Sequence, residues 1–223
     1  FGVDLNPVAV ELGEVSLWLN TIFSGGFVPW FGLQLKNGNS LIGARRETLP
    51  LSSLLPKASA PWYTIKPERI TNWKTPLAKN TSKIFHFLLP DPAMAEYKDS
   101  VVKNLVPGYI ETIKKWQRGM LKTFSPGEGE SLRELTAAAD KLIIAWSRHL
   151  SDLRKETPDP LPVFGQQDGL EMQTDLAFKD TVVNAEVMSQ GVKASSEYTR
   201  LKLVMDYWCA LWFWPMKDAG LLP

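Results

Sequence analysis

The chain has 223 residues, of which 44% are hydrophobic and 22% are charged, proportions typical of a globular protein with a buried core. Its 25 Lys and Arg residues against 24 Asp and Glu residues leave a net charge of +1. This balance excludes a basic field over the whole surface, so any nucleic-acid-binding surface must be local. The single cysteine, Cys209, excludes an internal disulfide and favours a reducing, cytoplasmic location.

The first element is encoded by the opening residues, FGVDLNP. The apolar run has strand character and is closed by Asp4, and Asn6-Pro7 then restarts the chain, because Pro suits the first turn of a helix. The apolar residues that follow, at 8, 12, 15, 19 and 22, are spaced by three or four, as in a helix. We therefore predict a strand, a tight turn and a helix. The carboxylate lies at the end of the strand where open α/β sheets bind ligands.

The next stretch, residues 23–66, is rich in turn-forming residues, among them SGG, NGN and four prolines. Its short apolar pieces, FVPWFGLQL and SLIGA, are predicted to be strands between the turns. The apolar run KIFHFLL at 83–89 is too short for its spacing to distinguish a strand from a helix.

Helices are predicted to dominate from about residue 80. Asp91 is placed as an N-cap with Pro92 at the first helical position, and PGYIETIKKWQRGMLKTF follows with an apolar face. The longest predicted helix begins at Ser131, which forms a capping-box pattern with Glu134. We expect the helices between about 92 and 156 to form an independent bundle. Further helices are predicted at roughly 178–190 and 195–214.

The last predicted helix contains a nearly continuous apolar run, from Leu201 to Trp214. The run is shorter than a membrane span and includes Lys202 and Asp206, so no membrane contact is predicted. Two interpretations stay open for it: a buried helix, or a face that docks onto a partner.

The sequence contains no complete catalytic motif. Neither a nucleophile elbow nor a Gly-rich phosphate loop is present, and His86 and His149 lack ligand-like spacing with Cys209. We therefore assign no catalytic residue and no metal ligand.

The best candidate for binding nucleic acid is the basic segment, residues 66–83. Its lysines and arginine would neutralise phosphates, and an interleaved aromatic side chain would stack on an unpaired base. The alternative is a solvated loop whose aromatic residues pack inward. The candidate nucleic-acid residues are Lys66, Arg69, Trp73, Lys74 and Lys79.

Two stretches, FGVDLNPVAVELGEVSLWLNT and LQLKNGNSLIGA, resemble the middle of the large adenine-N6 DNA methyltransferases of prokaryotic restriction and phage-defence systems. That family shows a strand ending in Asp-Leu-Asn-Pro, a helix similar to AVELAKLSLWL, and then a Gly-Asn-Ser-Leu element. The distal stretches IFHFLLPDPAMAEY and YTRLKLVMDYWCALWFWP resemble the methylase of DISARM-type phage defence. The resemblance thus touches both ends and the middle of the chain.

The resemblance implies a cofactor site for S-adenosylmethionine. Asp4, ending the second strand of a Rossmann-like methyltransferase domain, would accept hydrogen bonds from the ribose hydroxyls, in agreement with its place at a strand end. Leu5 and Asn6 would border the adenine ring, and Asn39 would lie near the adenine edge. From the residues alone, Asn39 is a turn residue that tolerates positive φ.

The chain also departs from the family pattern. The Gly-rich motif that approaches the cofactor and the Asn-Pro-Pro-Tyr motif that holds a flipped adenine are both missing from the sequence. We therefore expect an internal fragment that is inactive alone and that binds S-adenosylmethionine only within its complete parent. The implied partners are double-stranded DNA and other subunits of a defence system.

The expected fold is mainly α: a helical insertion or recognition region that follows one strand-turn-helix of a Rossmann-like domain. We expect a partial methyltransferase domain at 1–45, an irregular linker with short strands at 46–91, and a helical region at 92–223. The alternative function is a non-catalytic helical module that binds protein or nucleic acid. A Gly-rich motif upstream and an Asn-Pro-Pro-Tyr motif in the parent reading frame would distinguish the first function from the second.

Overall fold

The computed structural model describes residues 2–21, 31, 34–72, 75–77, 81–157, 177–182 and 197–223. Within these residues the fold is mainly helical, as predicted, and its few strands form small sheets. The chain divides into two compact units. The first unit comprises residues 1–43 and 146–196, and the second comprises residues 44–145 and 197–223.

The first unit begins with a β-α-β segment. Strand β1 (Gly2–Asp4) is followed by helix α1 (Pro7–Thr21) and strand β2 (Leu35–Asn37), and the two strands pair in parallel. The Asn6 side chain accepts a hydrogen bond from the Val8 amide (3.0 Å) and so caps the start of α1. The strand-turn-helix order predicted from the opening residues is therefore present.

Helix α1 has the predicted period but no buried residue. Its apolar side chains at the predicted spacing are exposed: Val8, Leu12, Val15 and Leu19. Spacing decides which side chains share a helix face, whereas burial depends on what neighbouring chain covers that face. The sequence therefore predicted the helix without revealing the exposure of its apolar face.

The second unit contains a three-stranded antiparallel sheet with the order β4-β3-β5. Strand β3 (Glu47–Pro50) lies in the centre, between β4 (Glu68–Arg69) and β5 (Lys83–Phe85). The ambiguous KIFHFLL run is thus a strand that continues into a 3-10 helix, His86–Leu88.

The strand predicted for SLIGA, residues 40–44, is wrong, because this stretch has no regular secondary structure. The amides of Leu41 and Ile42 donate to the side-chain oxygen of Asn39, and this local turn replaces ladder hydrogen bonds. Of FVPWFGLQL, only residues 31, 34 and 35 are described, and Leu35 begins β2. The remainder lies outside the described residues.

Residues 46–91, which we expected to be an irregular linker with short strands, supply much of the core of the second unit. One cluster joins the sheet and its 3-10 segments to the following long helix, and contains Leu49, Leu54, Trp62, Ile84, Leu89 and Leu132. A second contains Phe85, Phe87, Ala139, Ile143 and Leu201. Both clusters combine residues from before and after position 91, so the predicted boundary there does not separate two packing units.

The described helices after the sheet are α2 (Ser100–Leu105), α3 (Pro107–Met120), α4 (Pro126–Glu156) and α5 (Glu197–Trp212). Residues 177–182 are also helical and overlap the helix predicted at roughly 178–190, and residues 183–190 lie outside the described residues. A 3-10 helix, Met216–Leu221, follows α5. No helix in the described part of the chain has the length and apolar character that crossing a bilayer requires.

The predicted helix start at Asp91 is wrong. The Asp91 carboxylate accepts a hydrogen bond from the Ala93 amide (2.8 Å), but the chain only turns there, and Ala95 has a φ of 52°. A left-handed residue cannot continue a right-handed helix. The helix begins instead at Ser100, where the Asp99 side chain accepts from the amides of Val101 and Val102.

The capping box of α4 lies six positions before the predicted Ser131–Glu134 pair. The Ser125 amide donates to the Glu128 carboxylate (2.7 Å), and the Glu128 amide donates to the Ser125 hydroxyl (3.3 Å). Pro126 occupies the first helical position, where its missing N–H costs nothing. The motif Ser-Pro-Gly-Glu therefore starts the helix before the position that the sequence pattern predicted.

The helices between 92 and 156 pack mainly on other elements rather than as an independent bundle. Ile113 of α3 packs with Ala95 and Ala219, whereas α4 contributes to the two clusters of the sheet region. The apolar faces were therefore predicted, but their partners come from distant parts of the sequence.

Helix α5 is neither wholly buried nor wholly exposed, so neither the buried-helix interpretation nor the docking-face interpretation describes it alone. Leu201 and Leu211 are buried, while Leu203, Tyr207 and Phe213 beside them in sequence are exposed.

Candidate functional site

The C-terminal ends of β1 and β2 form the candidate cofactor site, which we call the β1–β2 edge. In the parallel register Asp4 lies opposite Asn37, so the residues after each strand meet at the same edge. Asp4, Leu5, Asn6 and Asn39, the residues assigned to the cofactor by resemblance, therefore lie at or just after this edge. Ligands of open α/β folds bind at such carboxyl ends.

The Asp4 carboxylate is held by its own chain. Its Oδ1 accepts a hydrogen bond from the Asn6 amide (2.8 Å), and the residue is exposed. An ionised carboxylate has about four lone-pair positions, so further hydrogen bonds from a ligand's hydroxyl groups fit this side chain. Leu5 is also exposed, and its apolar surface is accessible next to the carboxylate.

Asn37 organises the same edge and was not assigned from the sequence. Its Nδ2 donates to the carbonyl oxygens of Asp4 (3.1 Å) and Leu5 (2.9 Å). The Gly38 amide donates to the Asp4 carbonyl as well, at 2.8 Å. The NGN tripeptide was interpreted only as a turn, because nothing local shows that its first Asn reaches the end of β1.

Asn39 forms a turn. Its Oδ1 accepts from the amides of Leu41 (2.9 Å) and Ile42 (3.2 Å). In the described part of the chain, positive φ outside glycine occurs at Ala95, so Asn39 does not need the left-handed conformation that its residue type tolerates. The turn holds the chain at the end of β2 beside the β1–β2 edge.

The basic segment is only partly described. Lys66 and Arg69 are exposed, and Arg69 lies on β4 opposite Glu47. Lys83 pairs with Glu68 at 2.7 Å on the surface. Trp73, Lys74 and Lys79 lie outside the described residues. The structure therefore places Arg69 on the exposed strand β4 and Lys66, also exposed, two residues before that strand, and the other three assignments stay predictions.

The alternative of inward-packed aromatics holds for Trp62, just before the segment. Its ring is buried in the core, and its Nε1 donates to the Lys122 carbonyl oxygen (3.3 Å). Tyr63 beside it is partly exposed and meets the Trp62 ring edge-on.

A buried ion pair lies beneath the basic segment and was missed from the sequence. Arg46 and Asp140 are 1% and 5% exposed, and their side chains meet at 2.6 Å. The guanidinium also donates to the carbonyl oxygens of Asn72 (2.7 Å) and Thr75 (3.2 Å), and Asp140 Oδ2 accepts from the Leu77 amide (2.8 Å). The sequence signal was weak, because a charge in the middle of a helix is most often solvated.

His86 and Cys209, in the second unit, are two further side chains whose chemistry is altered by burial. Burial lowers the pKa of His86 despite the opposing charges of Asp91 and Glu47, and its ring lies 5.5 Å from that of Trp208. Burial raises the pKa of the Cys209 thiol, which disfavours the nucleophilic thiolate. Within the described ranges, no group of three or more His, Cys, Asp or Glu side chains is arranged to hold a metal ion.

Comparison with known proteins finds no matching family model, no matching curated protein and no matching solved structure. The chemistry available at the β1–β2 edge is therefore judged from its own groups. These are a carboxylate that accepts hydrogen bonds, an apolar side chain and fixed backbone turns, which together suit binding rather than bond cleavage.

Proposed function

We propose that the chain carries the cofactor-binding β-α-β segment of a cytoplasmic, S-adenosylmethionine-dependent DNA adenine-N6 methyltransferase of restriction-modification or phage defence. One observation carries the proposal. The parallel pairing of β1 and β2 across α1 places Asp4 and the Asn39 turn at one edge, the place where such folds bind nucleotide-like ligands. The motifs that resemble the methyltransferases fall on these same elements.

Each group at the β1–β2 edge has a role in this proposal. The Asp4 carboxylate accepts hydrogen bonds from the two ribose hydroxyls, and its fixed bond to the Asn6 amide holds it in place. Leu5 covers one side of the adenine ring, and Asn6 and the Asn39 turn border that ring. The exposure of Asp4 and Leu5 leaves both side chains accessible for these contacts.

When bound, S-adenosylmethionine supplies an electrophilic methyl group. Within the complete parent, the β1–β2 edge would bind and orient the ribose and adenine end of the cofactor. Binding of the target adenine is assigned to an Asn-Pro-Pro-Tyr motif, which these 223 residues do not contain. The chain alone is therefore proposed to be inactive, and the complete enzyme to act on double-stranded DNA together with other defence subunits.

A methylation assay tests this function. The complete protein encoded by the parent gene should transfer a labelled methyl group to adenine N6 in double-stranded DNA, and the 223-residue chain should not. A parent reading frame that lacks both the Gly-rich motif and the Asn-Pro-Pro-Tyr motif, together with no transfer by the complete protein, would contradict the proposal.

The second candidate function is a non-catalytic module that binds protein or nucleic acid. It is favoured by the exposed apolar side chains Leu203, Tyr207 and Phe213 on and just after α5, since exposed apolar patches mark interaction sites. Under this function the parent protein would lack methyl transfer, yet Leu203→Asp or Tyr207→Asp would abolish its association with a partner.

A further inference from the structure

The Asn37-Gly38 dipeptide lies at the end of strand β2 and contacts strand β1 through two groups. Asn37 Nδ2 donates to the carbonyl oxygens of Asp4 (3.1 Å) and Leu5 (2.9 Å). The Gly38 amide donates to the Asp4 carbonyl oxygen at 2.8 Å. The side-chain amide of Asn37 and the backbone amide that follows it therefore both donate to the end of β1.

An asparagine followed by glycine is chemically reactive, because glycine has no side chain to hinder attack by its amide nitrogen on the preceding side chain. When the pair is open, the Gly38 nitrogen loses its proton to hydroxide and attacks Cγ of Asn37. The bond from Cγ to this nitrogen forms, the bond from Cγ to Nδ2 breaks, and ammonia leaves with a proton taken from water. Water then opens the cyclic succinimide to aspartate or isoaspartate. In sum, asparagine and water give the acid and ammonia.

We propose that Asn37 is a deamidation site whose reaction is controlled by the pairing of β1 with β2. In the closed pair, both the attacking nitrogen and the leaving amide are held by hydrogen bonds to β1. Neither strand contains a buried residue, nor does α1, and Asn37 itself is exposed, so the pair opens locally without disrupting a core. The reaction needs only the chain's own groups and water, so it does not depend on the ligand that the β1–β2 edge binds.

Deamidation removes the contact that holds the edge together. A carboxylate at position 37 accepts hydrogen bonds and cannot donate, so it faces the carbonyl oxygens of Asp4 and Leu5 with no proton between them. Position 37 also lies opposite Asp4 in the parallel register, so the new charge is placed near an existing carboxylate. Isoaspartate inserts a methylene group into the backbone and shifts the ladder. Both products therefore favour the open pair.

The test incubates the 223-residue chain at mildly alkaline pH, with and without urea, and follows position 37 by mass spectrometry of proteolytic peptides. We expect aspartate and isoaspartate in native buffer, formed about tenfold more slowly than in urea, because only the open fraction reacts. The rate should rise with pH, since the attacking nitrogen must lose a proton. An Asn37 that stays intact in native buffer while the urea sample reacts, or equal rates in the two solutions, would overturn the inference.

Gly38→Ala is the matched control for the chemistry. A Cβ at this position meets the Val3 side chain at 3.5 Å, an ordinary contact, and the backbone there is not left-handed, so the variant keeps the Asn37 contacts. The added methyl group hinders the attack, so deamidation in urea should slow by about tenfold. An unchanged rate would show that Asn37 is lost by another route and would overturn the succinimide step.

Two further variants test the consequence of the reaction. Asn37 acts through its Nδ2 donor, which aspartate lacks, whereas Asn39 acts through its Oδ1 acceptor, which aspartate keeps. Hydrogen exchange of the Gly38 amide should become about tenfold faster in Asn37→Asp and stay unchanged in the control Asn39→Asp. Equal exchange in Asn37→Asp and the unmodified chain would overturn the opening of the edge. The deamidation rates are measured on the unmodified chain, so they stand even where a variant fails to fold.

Discussion

The β1-α1-β2 segment and the second unit are built in opposite ways. Helix α1 has no buried residue, and its own hydrogen bonds, the Asn6 cap and the helix ladder, are local. The Asn37 side chain adds a longer-range contact, across the parallel pair to the end of β1. The second unit buries Trp62, Phe85 and an ion pair, and its core joins residues far apart in sequence. A local sequence pattern is thus enough to form a helix or a strand, whereas a buried core requires residues that are far apart in the sequence. Substitutions should therefore cost little in the first region and much in the second.

The largest effect is expected for Asp140→Ala. Removing one partner leaves the Arg46 charge buried without its carboxylate, which costs about 3–5 kcal/mol of unfolding free energy. Urea denaturation measures this loss. Asp152→Ala on the exposed side of the same helix removes a surface pair with Lys155 and is the control, with an expected loss much smaller than that of Asp140→Ala, because water and salt screen an exposed pair. Similar losses in both variants would show that the buried pair contributes no more to the unfolding free energy than the surface pair does.

Two leucines allow a matched comparison of the regions. Leu54 in the second unit is 0% exposed, whereas Leu12 on α1 is 61% exposed. Leu54→Ala should cost about 2–5 kcal/mol, since it leaves a cavity in the core. Leu12→Ala should change the stability by no more than about 0.5 kcal/mol. Thermal or urea melts of both variants measure the difference, and a costly Leu12→Ala would mean that the α1 face is covered.

A smaller effect is expected at the start of α4. Ser125→Ala removes the N-cap and should cost about 0.5–2 kcal/mol, because the helix loses a side-chain acceptor for the Glu128 amide. Ser131→Ala, at the position where the sequence pattern predicts the cap, is the control. Ser131 lies inside the helix and donates to the Gly127 carbonyl, so its replacement by the better helix former Ala should be nearly neutral. The reverse order of the two losses would restore the predicted start at Ser131.

The smallest effect is a pH dependence in the second unit. The pKa of His86 is lowered in the folded chain by burial, so the unfolded chain binds more protons as the pH falls below the ordinary histidine value of about 6.5. The His86 contribution is therefore present above that value and is lost as the pH falls through the folded pKa. Unfolding free energies measured across this range should decline less in His86→Gln than in the unmodified chain. Parallel curves would exclude His86 as the cause.

The sequence predicted well those features that depend on neighbours a few residues apart. The β1–turn–α1 order, the capping Asn6 and the helix at α3 follow from Pro positions and a period of three to four. The two misplaced helix starts show the limit of this reasoning. Asp91 and Ser131 both match capping patterns, but Ala95 turns the chain in one case and Ser125 caps the helix earlier in the other.

The same division between local patterns and distant contacts applies to the candidate site. Asp4 and Asn39 were assigned from motifs, and the parallel pairing brings their strand ends together. Asn37 and the Arg46–Asp140 pair were missed, because each acts on residues 26 to 94 positions away. A single sequence contains no signal for contacts at that distance.

The central claim, that Asp4 binds the ribose of S-adenosylmethionine, is tested most directly by isothermal titration calorimetry. Each hydrogen bond to a charged group contributes about 1.5–3 kcal/mol, so even the two that Asp4 is proposed to accept fall below the roughly 8 kcal/mol that micromolar affinity requires. The 223-residue chain should therefore show no measurable binding. The complete protein should bind, Asp4→Ala should weaken that binding by about tenfold or more, and the exposed control Glu11→Ala should leave it unchanged. Tight binding by the short chain, or equal affinities for the Asp4→Ala and unmodified complete proteins, would contradict the assignment.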